Sequence, residues 1–472
     1  MVKKNIRNRS FSKGAWVVAV DMGYGHQRTA FSLKHLAPQG KIINANSYQG
    51  IPLSDRKIWE NSKKFYEFIS NFKKTPFIGE AAFSFFDRFQ RILPFYPKRN
   101  LSQPNFYLRQ IYSLIKRGWG KDLIKKLKKE PLPLITTFFV PAFMAEVFKY
   151  PKDIFCVVCD ADIGRSWAPL TPPQSRIKYF VPNSRVLERL RLYGVKKENI
   201  FLTGYPLPKE NIGGLKSKVL KYDLSYRLLN LDPKKRYQKK YKPLIKEFIG
   251  DLPEKPNHPL TITFAVGGAG AQKEIGAKIL KSLVSKIKTE EIKVILVAGT
   301  RKEVRNYFLQ NIKHLGLEGS LSKNIDPVGE FRKDFSKEKS NLRSNSKFLY
   351  GVEIIWEKDI EDYFKKFNQA LRKTDILWTK PSELSFYTAL GLPIIIAPPI
   401  GSQEDFNKQW LLRLGSAIPQ ENPDYTAQWL FDSLESGWFA EGAMQGFVEG
   451  PKLGTFNIEK IVKGEICSGY SS

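Results

Sequence analysis

The chain of 472 residues is too long for one ordinary hydrophobic core, and its length predicts two domains of roughly 200 residues each. Hydrophobic residues make up 42% of it and aromatic residues 13%, which excludes an intrinsically disordered protein. The formal net charge of +31 predicts attraction to a polyanion, whether a nucleic acid, an anionic membrane surface or an anionic substrate.

The N-terminal residues carry no complete targeting signal. The basic start at 3–7 resembles the beginning of a signal peptide, but the apolar stretch Ala15–Val20 is too short for one and ends at Asp21. No apolar run reaches the ~18 residues that a spanning helix needs. Three cysteines give no disulfide framework, which is typical of a reducing compartment. We therefore expect a cytoplasmic protein, peripheral on the inner face of the membrane.

The first half of the chain alternates apolar strands with helices. A strand at 16–20 leads into a glycine turn at 22–25 and a helix at 27–35. Further strands are predicted at 42–46, 134–139, 154–159, 179–181 and 200–203, with a helix at 184–193. This alternation predicts a parallel sheet that is covered on both faces. The pair Cys156 and Cys159 has CxxC spacing, but buried thiols are favoured because no second pair completes a metal site.

A basic and aromatic region, residues 58–130, interrupts this first unit. Its apolar residues recur at helical spacing and its basic residues flank them, which predicts three amphipathic helices. Such stripes usually face a core, yet contact with an anionic membrane also requires basic amphipathic helices. The three groups are Phe65, Phe68, Ile69 and Phe72; Ala82, Phe85, Phe86, Phe89, Ile92 and Leu93; and a helix at 111–127 carrying Lys116, Arg117, Lys121, Lys125 and Lys126. We expect this region to bind a membrane surface.

The second half repeats the same plan. Strands are predicted at 260–266, 294–298, 376–378 and 393–397, with helices at 272–288, 302–311 and 385–390. Two such units predict an N-terminal Rossmann-like domain at 14–206 and a C-terminal one at 259–425. Residues 207–258 are expected to form a linker with a helical insertion, and 319–346 a solvated loop. A helical tail, 426–472, is expected to pack back on the N-terminal domain.

The turn Gly23-Tyr24-Gly25-His26 opens a helix directly after a strand. Glycines there let backbone N–H groups approach a ligand, and a helix N-terminus favours negative charge. His26 would face the ligand-binding end of the sheet, where an imidazole can remove a proton from a hydroxyl. A structural turn with a capping histidine is the alternative, and the motif alone does not decide between them.

Two polar loops of the second half point to a nucleotide ligand. The turn at Gly267–Gly270 has neither the Lys-Ser/Thr of a P-loop nor a full GxGxxG, so a kinase or dehydrogenase is not favoured. Its amides suit a pyrophosphate. The segment Ser402–Asn407 follows a strand and is rich in side chains that accept hydrogen bonds from sugar and ribose hydroxyls.

Together these segments resemble the GT-B glycosyltransferases. Within them the similarity is to the branch of monogalactosyldiacylglycerol synthase, the processive diacylglycerol glucosyltransferases and the peptidoglycan-precursor N-acetylglucosaminyl transferase. The matching segments, in chain order, are 21–30, 160–167, 179–206, 265–272 and 379–407. The resemblance implies an α/β GT-B fold, in which two Rossmann-like domains with parallel sheets face a cleft. It implies a UDP-sugar donor, no metal and no other cofactor.

The resemblance also assigns roles to individual residues. His26 and Asp160 would be catalytic, and Gly23, Gly25 and Trp167 would bind the acceptor. The donor would be held by Gly267, Gly268, Gly270, Lys380, Glu383, Gln403, Glu404 and Asn407. The segment Lys380–Glu383 departs from the family because it lacks the glycines usual after that lysine, and no acid falls at the family's ribose-binding position.

The implied function is transfer of a hexose from a UDP-sugar to a lipid or lipid-linked hydroxyl at the membrane surface. A UDP-sugar 2-epimerase on the same fold is an alternative, with Asp160 and Asp162 as its only acid/base candidates. A degenerate, non-catalytic nucleotide-sugar-binding protein is another. Binding to nucleic acid is not expected, because the aromatic residues follow helical stripes and show no stacking-platform pattern.

Overall fold

The computed structural model describes residues 14–72, 92–267, 270–322 and 351–465. Several sequence predictions lie outside these ranges: Gly268, Cys467, residues 82–91 of the second aromatic stripe and most of the 319–346 loop. The side chains of 65–72, which hold the first stripe, also lie outside the description.

The first domain is built on a six-stranded sheet in the order β2-β1-β3-β4-β5-β6. Every pair of strands is parallel, so their carboxyl ends share one edge. Both faces are covered, since Val17 and Ala19 enter one core cluster and Val18 the other. The strands are β1 (Trp16–Ala19), β2 (Ile43–Asn44), β3 (Leu134–Thr136), β4 (Ile154–Val157), β5 (Ile177–Val181) and β6 (Ile200–Leu202).

Six helices are described in this domain. They are α1 (Tyr24–Ser32), α2 (Leu53–Phe72), α3 (Phe106–Lys116), α4 (Lys121–Leu127), α5 (Phe139–Val147) and α6 (Ser184–Leu192). The single helix predicted at 111–127 is wrong, because α3 and α4 replace it. Gly118 and Gly120 between them have φ of 113° and 83°, a left-handed backbone that ends α3 and redirects the chain.

The apolar faces of α3 and α4 are turned inward. Leu108, Ile111 and Ile115 of α3 are buried, as are Leu123 and Leu127 of α4. Their basic residues point outward, with Lys116, Arg117, Lys121 and Lys125 exposed. The core-facing interpretation of the apolar stripe therefore holds for these two helices, while the charge they carry remains on the surface.

Residues 207–258 hold four helices: α7 (Lys209–Ile212), α8 (Lys218–Leu231), α9 (Arg236–Lys240) and α10 (Lys242–Phe248). Helix α8 is packed into the molecule, with Leu220, Leu224 and Leu228 buried. Arg227 on the same helix is also buried and donates to the carbonyl oxygens of Thr374, Leu390, Gly391 and Leu371 at 2.7–3.2 Å. These contacts fix α8 against the second domain.

The second domain has a six-stranded parallel sheet in the order β12-β11-β10-β7-β8-β9. Two of its strands, β9 and β12, were not predicted. The strands are β7 (Leu260–Ala265), β8 (Ile292–Gly299), β9 (Val352–Trp356), β10 (Ile376–Thr379), β11 (Ile394–Ile396) and β12 (Ala417–Pro419). Its helices are α11 (Lys273–Lys288), α12 (Lys302–His314), α13 (Ile360–Leu371), a 3-10 helix (Glu383–Leu390) and α14 (Ser402–Leu414).

The last described helices are α15 (Thr426–Glu435), α16 (Trp438–Glu449) and α17 (Gly454–Val462). Helices α15 and α16 pack on the second domain and on α8. Helix α17 crosses to the first domain, where Ile458 enters the core beneath β1 and Asn457 donates to the carbonyl oxygen of Thr203 at 2.9 Å.

The architecture is the one predicted: two Rossmann-like domains with parallel sheets that face a cleft, which is the GT-B arrangement. Within the ranges that the structure describes, no helix combines the length and apolar character needed to cross a membrane.

Candidate functional site

A cleft of about 1410 Å³ lies between the carboxyl edges of the two sheets. It exceeds the ~300–1,000 Å³ of most small-molecule sites, so it has room for two substrates side by side. Most of the predicted site residues line it together: Gly23, Gly25, His26, Asp160, Trp167, Gly267, Lys380, Glu383, Gln403, Glu404 and Asn407. Gly270 is not part of the lining, and it closes the turn by donating its N–H to the Gly267 oxygen at 2.8 Å.

His26 is held in one orientation by the loop that follows β3. Its Nδ1 donates to the carbonyl oxygen of Thr137 at 2.7 Å, and the Thr137 hydroxyl donates to the His26 carbonyl oxygen at 2.9 Å. Because a carbonyl only accepts, Nδ1 carries the proton and Nε2 of the neutral ring keeps its lone pair. The ring packs edge-on against Phe138 at 4.8 Å and is partly exposed to the cleft.

The surroundings of His26 favour its neutral form. Burial disfavours the imidazolium and lowers the pKa of His26 from 6.5, although the Thr137 carbonyl and the charge of Glu383 act in the opposite direction. The Sγ atom of Cys159 lies 3.4 Å from Nδ1, so this buried thiol contacts the ring rather than serving only as strand packing. A neutral imidazole whose Nε2 keeps its lone pair is the form that can accept a proton.

Asp160 lies just beyond the end of β4. Burial raises its pKa to about 6, helped by the negative charges of Glu383 and Glu404, while a hydrogen bond from Asn407 Nδ2 at 3.2 Å opposes the rise. The carboxyl group therefore changes charge closer to neutrality than an ordinary aspartate does. This behaviour suits a group that takes part in proton transfer or charge stabilisation.

Asp162 does not share the cleft, so its place as an acid/base candidate is wrong. Its carboxylate is buried and accepts from Arg189 Nε and Nη2, both at 2.8 Å, and from Arg185 Nε at 2.9 Å. Both oxygens are thus committed to arginines. The cleft has carboxylates from both domains: Asp21 and Asp160 from the first, and Glu303, Asp359, Glu383 and Glu404 from the second.

Lys380 and Glu404 form an ion pair at the mouth of the glycine turn. Lys380 Nζ contacts Glu404 Oε1, and Glu404 Oε2 accepts from the backbone N–H of Ile400 at 2.7 Å. A Cβ at Gly267 would lie 2.6 Å from Lys380 Cε, so a side chain there would displace the lysine from the turn. The lysine is therefore stacked directly on the turn where an anionic ligand was predicted.

Asn407 joins the two domains. Its Oδ1 accepts from the backbone N–H of Ala161 at 2.7 Å, and its Nδ2 donates to Asp160 and to the Pro381 carbonyl oxygen, both at 3.2 Å. The side chain is fully buried. Its amide is thus occupied by protein partners, whereas it was predicted to contact the donor.

Tyr24 and Arg28, which the sequence did not single out, also cross between the domains. The Tyr24 hydroxyl accepts from the backbone N–H of Thr300 at 2.9 Å, and its ring packs on Tyr363 at 5.2 Å. Arg28 Nε lies 3.2 Å from Glu383 Oε1. The only available signal was position, since both residues flank His26 in the first turns of α1.

The first-domain side of the cleft extends to α2 and α3. Asn61, Ser62 and Lys63 of α2 line it, and Lys63 pairs with Asp21 at 2.6 Å. Aromatic and polar side chains of α3 form the facing wall, namely Phe106, Tyr107 and Gln110. The half of the cleft opposite the glycine turn therefore combines aromatic faces with amides and hydroxyls.

The chain has only distant similarity to known proteins. A family model described as a domain of unknown function (DUF6938) matches residues 253–411, less than half of the chain. No curated protein matches the sequence. Among solved structures, the chain is similar to Acinetobacter baumannii MurG, with 12% identity over 96% of this chain and 99% of that one and a TM-score of 0.47. It is also similar to Staphylococcus aureus MnaA with UDP, with 12% identity, 98% and 99% coverage and a TM-score of 0.46.

Proposed function

We propose that the protein is a glycosyltransferase that moves a hexose from a UDP-sugar to a lipid or lipid-linked hydroxyl at a membrane surface. The observation that carries this proposal is the state of His26. Its Nδ1–H is fixed on Thr137, its pKa is lowered by burial, and it lies in the cleft that also holds Lys380 and the turn at Gly267. A base in one domain thus faces a site suited to an anionic leaving group in the other.

In the proposed reaction, the acceptor hydroxyl lies beside Nε2 of His26 and attacks the anomeric carbon of the donor. A bond forms between the acceptor oxygen and that carbon, and the bond from the carbon to the phosphate oxygen breaks. The hydroxyl proton passes to Nε2, and UDP leaves with the electron pair. A positioned base of this kind contributes ~10²–10⁴-fold to the rate.

The second domain supplies the groups for the donor. The Lys380 ammonium and the N-terminus of α14 favour the negative charge of a diphosphate. Gln403 in the first turn of α14 lines the cleft and offers an amide to sugar or ribose hydroxyls. Asp160, with its pKa near 6, is suited to balance positive charge as the bond to the leaving group breaks.

Two exposed apolar side chains support action at a membrane. Leu53 and Phe106 begin α2 and α3, two of the first-domain helices that border the cleft, and they are 81% and 60% exposed. Exposed Arg56, Lys57 and Arg109 lie on the same helices. Apolar residues beside basic ones are what an anionic bilayer surface binds. We infer cytoplasmic, peripheral attachment there.

The test begins with UDP binding by calorimetry, followed by a transfer assay. A panel of UDP-sugars is offered to the protein on anionic vesicles that contain diacylglycerol. His26→Asn keeps a donor for the Thr137 carbonyl but lacks Nε2, so we expect a rate loss of ~10²-fold or more with unchanged UDP affinity. His35→Asn is the matched control, because His35 lies off the cleft beside Glu459. No UDP binding at millimolar concentration would refute the proposal.

A UDP-sugar 2-epimerase is the second candidate. Asp160 favours it, since a carboxyl group with a pKa of about 6 can both donate and accept a proton near neutrality. Incubation with UDP-N-acetylglucosamine and no acceptor distinguishes the two. An epimerised UDP-sugar as the product supports this candidate, and an unchanged donor excludes it.

A further inference from the structure

Arg28 brings a buried charge from the first domain to the domain boundary. It lies on α1 and is 1% exposed. Its Nε donates to Glu383 Oε1 at 3.2 Å, and its Nη2 donates to the Tyr363 hydroxyl at 2.7 Å. The guanidinium also lies over the rings of Phe364 and Phe367, at 4.6 and 4.4 Å from their centroids.

Stability alone does not explain this arrangement. The desolvation cost of a buried ion pair can equal or exceed the attraction gained, and apolar residues of similar size are often as stabilising. Arg28 Nη1 has no hydrogen-bond partner in the part of the chain that the structure describes, which adds to the cost of burying the group. A role in the neighbouring cleft is therefore the better explanation for the pair.

The second carboxylate oxygen of Glu383 lies at the cleft. Glu383 Oε2 faces the turn of the first domain, where a Cβ at Gly25 would lie only 3.1 Å from it. His26 follows immediately in the sequence, and both Arg28 and Glu383 line the cleft. One carboxylate oxygen is thus held by Arg28, while the other lies beside the turn that carries His26, next to the base of the proposed reaction.

We propose that Arg28 is a positioning residue that reaches across the domain boundary and orients Glu383 to accept a hydrogen bond from a hydroxyl of the transferred sugar. The inference rests on the proposed function. Because Glu383 lies beside the reacting turn, its contact is with the hexose and not with the nucleotide. Loss of Arg28 therefore weakens use of the UDP-sugar and leaves the binding of UDP alone unchanged.

A second ion pair at the same boundary provides the matched control. Lys34, just beyond α1, contacts Glu361 of α13 at 2.7 Å, and their side chains are 31% and 34% exposed. Neither residue lines the cleft. Removing this pair disturbs the same domain boundary without touching the residues that line the cleft, so Lys34→Gln measures the effect of a lost interdomain contact alone.

The experiment compares Arg28→Gln, Glu383→Gln and the double variant with wild type and Lys34→Gln. For each protein, kcat and KM are measured with the UDP-sugar, Kd is measured with UDP, and folding is checked by thermal melting. We expect each single Arg28 or Glu383 variant to lose ~10-fold or more in kcat/KM, and the double variant to lose no more than either. Kd for UDP stays within ~2-fold throughout, and Lys34→Gln stays near wild type.

Three outcomes would overturn the inference. They are unchanged kcat/KM in Glu383→Gln, losses that add in the double variant, or a loss of UDP affinity parallel to the loss of kcat/KM. Glu383→Asp keeps a negative charge for Arg28 but shortens the side chain and withdraws its oxygens from the turn, so it remains informative if the other variants do not fold. Wild-type protein that binds no UDP refutes the proposed function instead, which separates the two failures.

Discussion

Asp160 and Asp162 lie two residues apart, yet replacing each by asparagine is expected to change stability in opposite directions. Burial raises the pKa of Asp160 from 3.8 to about 6. Keeping this carboxyl group ionised in the folded state therefore lowers the free energy of unfolding near neutral pH. At ~1.4 kcal/mol per pH unit, that difference corresponds to up to ~3 kcal/mol. Asp160→Asn removes the charge and retains an oxygen that accepts from Asn407, so the variant is expected to gain up to that amount.

The gain has a defined pH dependence. A carboxyl group with a raised pKa in the folded state lowers stability where it is ionised in both states, above about pH 6. Below its unfolded value of 3.8 it is protonated in both states and has no effect. The advantage of Asp160→Asn is therefore complete above ~pH 7 and declines towards ~pH 4.

Asp162→Asn is the opposing control. Its two oxygens are bound by Arg189 and Arg185, and Arg189 is fully buried. Removing the charge leaves a buried guanidinium without its counter-ion, which costs ~3–5 kcal/mol. We expect this variant to melt earlier than wild type at every pH at which wild type is folded.

Both variants are compared by thermal melting between pH 4.5 and 8, with transfer activity measured on the same samples. The reasoning fails if Asp160→Asn is less stable than wild type at pH 8, or if its advantage persists unchanged at acid pH. Because Asp160 lines the cleft, the stabilised variant is also expected to transfer sugar more slowly. Gained stability with lost activity is the combined result that separates a site residue from a structural one.

Two further predictions concern the core and the surface. Leu224→Ala on α8 removes a fully buried side chain that packs beneath Gly391, so we expect the free energy of unfolding to fall by ~2–5 kcal/mol in urea denaturation. The exposed Lys218→Ala is the control, for which we expect a loss of ~0.5 kcal/mol or less. The double variant Leu53→Ser and Phe106→Ser is expected to sediment less with anionic vesicles, while its melting temperature stays at the wild-type value. Unchanged vesicle binding would contradict the proposal that α2 and α3 contact a membrane.

Most of the fold was predictable because buried parallel strands are continuous apolar runs between glycine turns. The misses have physical reasons. Strand β12 is only Ala417–Pro419, a short edge strand that ends in proline and shows no alternation. The helix at 111–127 was predicted as one because its apolar spacing continues across 118–120, where two left-handed glycines end it.

The candidate-site residues that follow the ends of strands were predictable from the sequence. His26, Asp160 and Lys380 each come after an apolar run, and parallel topology brings such positions to the carboxyl edge of their sheet. Thr137 could not be found in this way, since it holds His26 through a backbone carbonyl that any residue type supplies. Arg28 was hidden because its partners, Tyr363 and Glu383, are more than 300 residues away in the sequence.

The hydrogen bonds of Asn407 between the domains limit which side chains can contact a substrate. Its amide donates twice and accepts once, and these bonds join Asp160 and Ala161 to Pro381. A donor contact through Asn407 would need the domains to part, because its N–H groups are already used. Gln403, one helical turn earlier on α14, has a side-chain amide without a partner among the described residues and lines the same cleft. With the domains joined in this way, we expect the polar contact to the proposed donor to come from Gln403, while Asn407 holds Asp160 at the cleft.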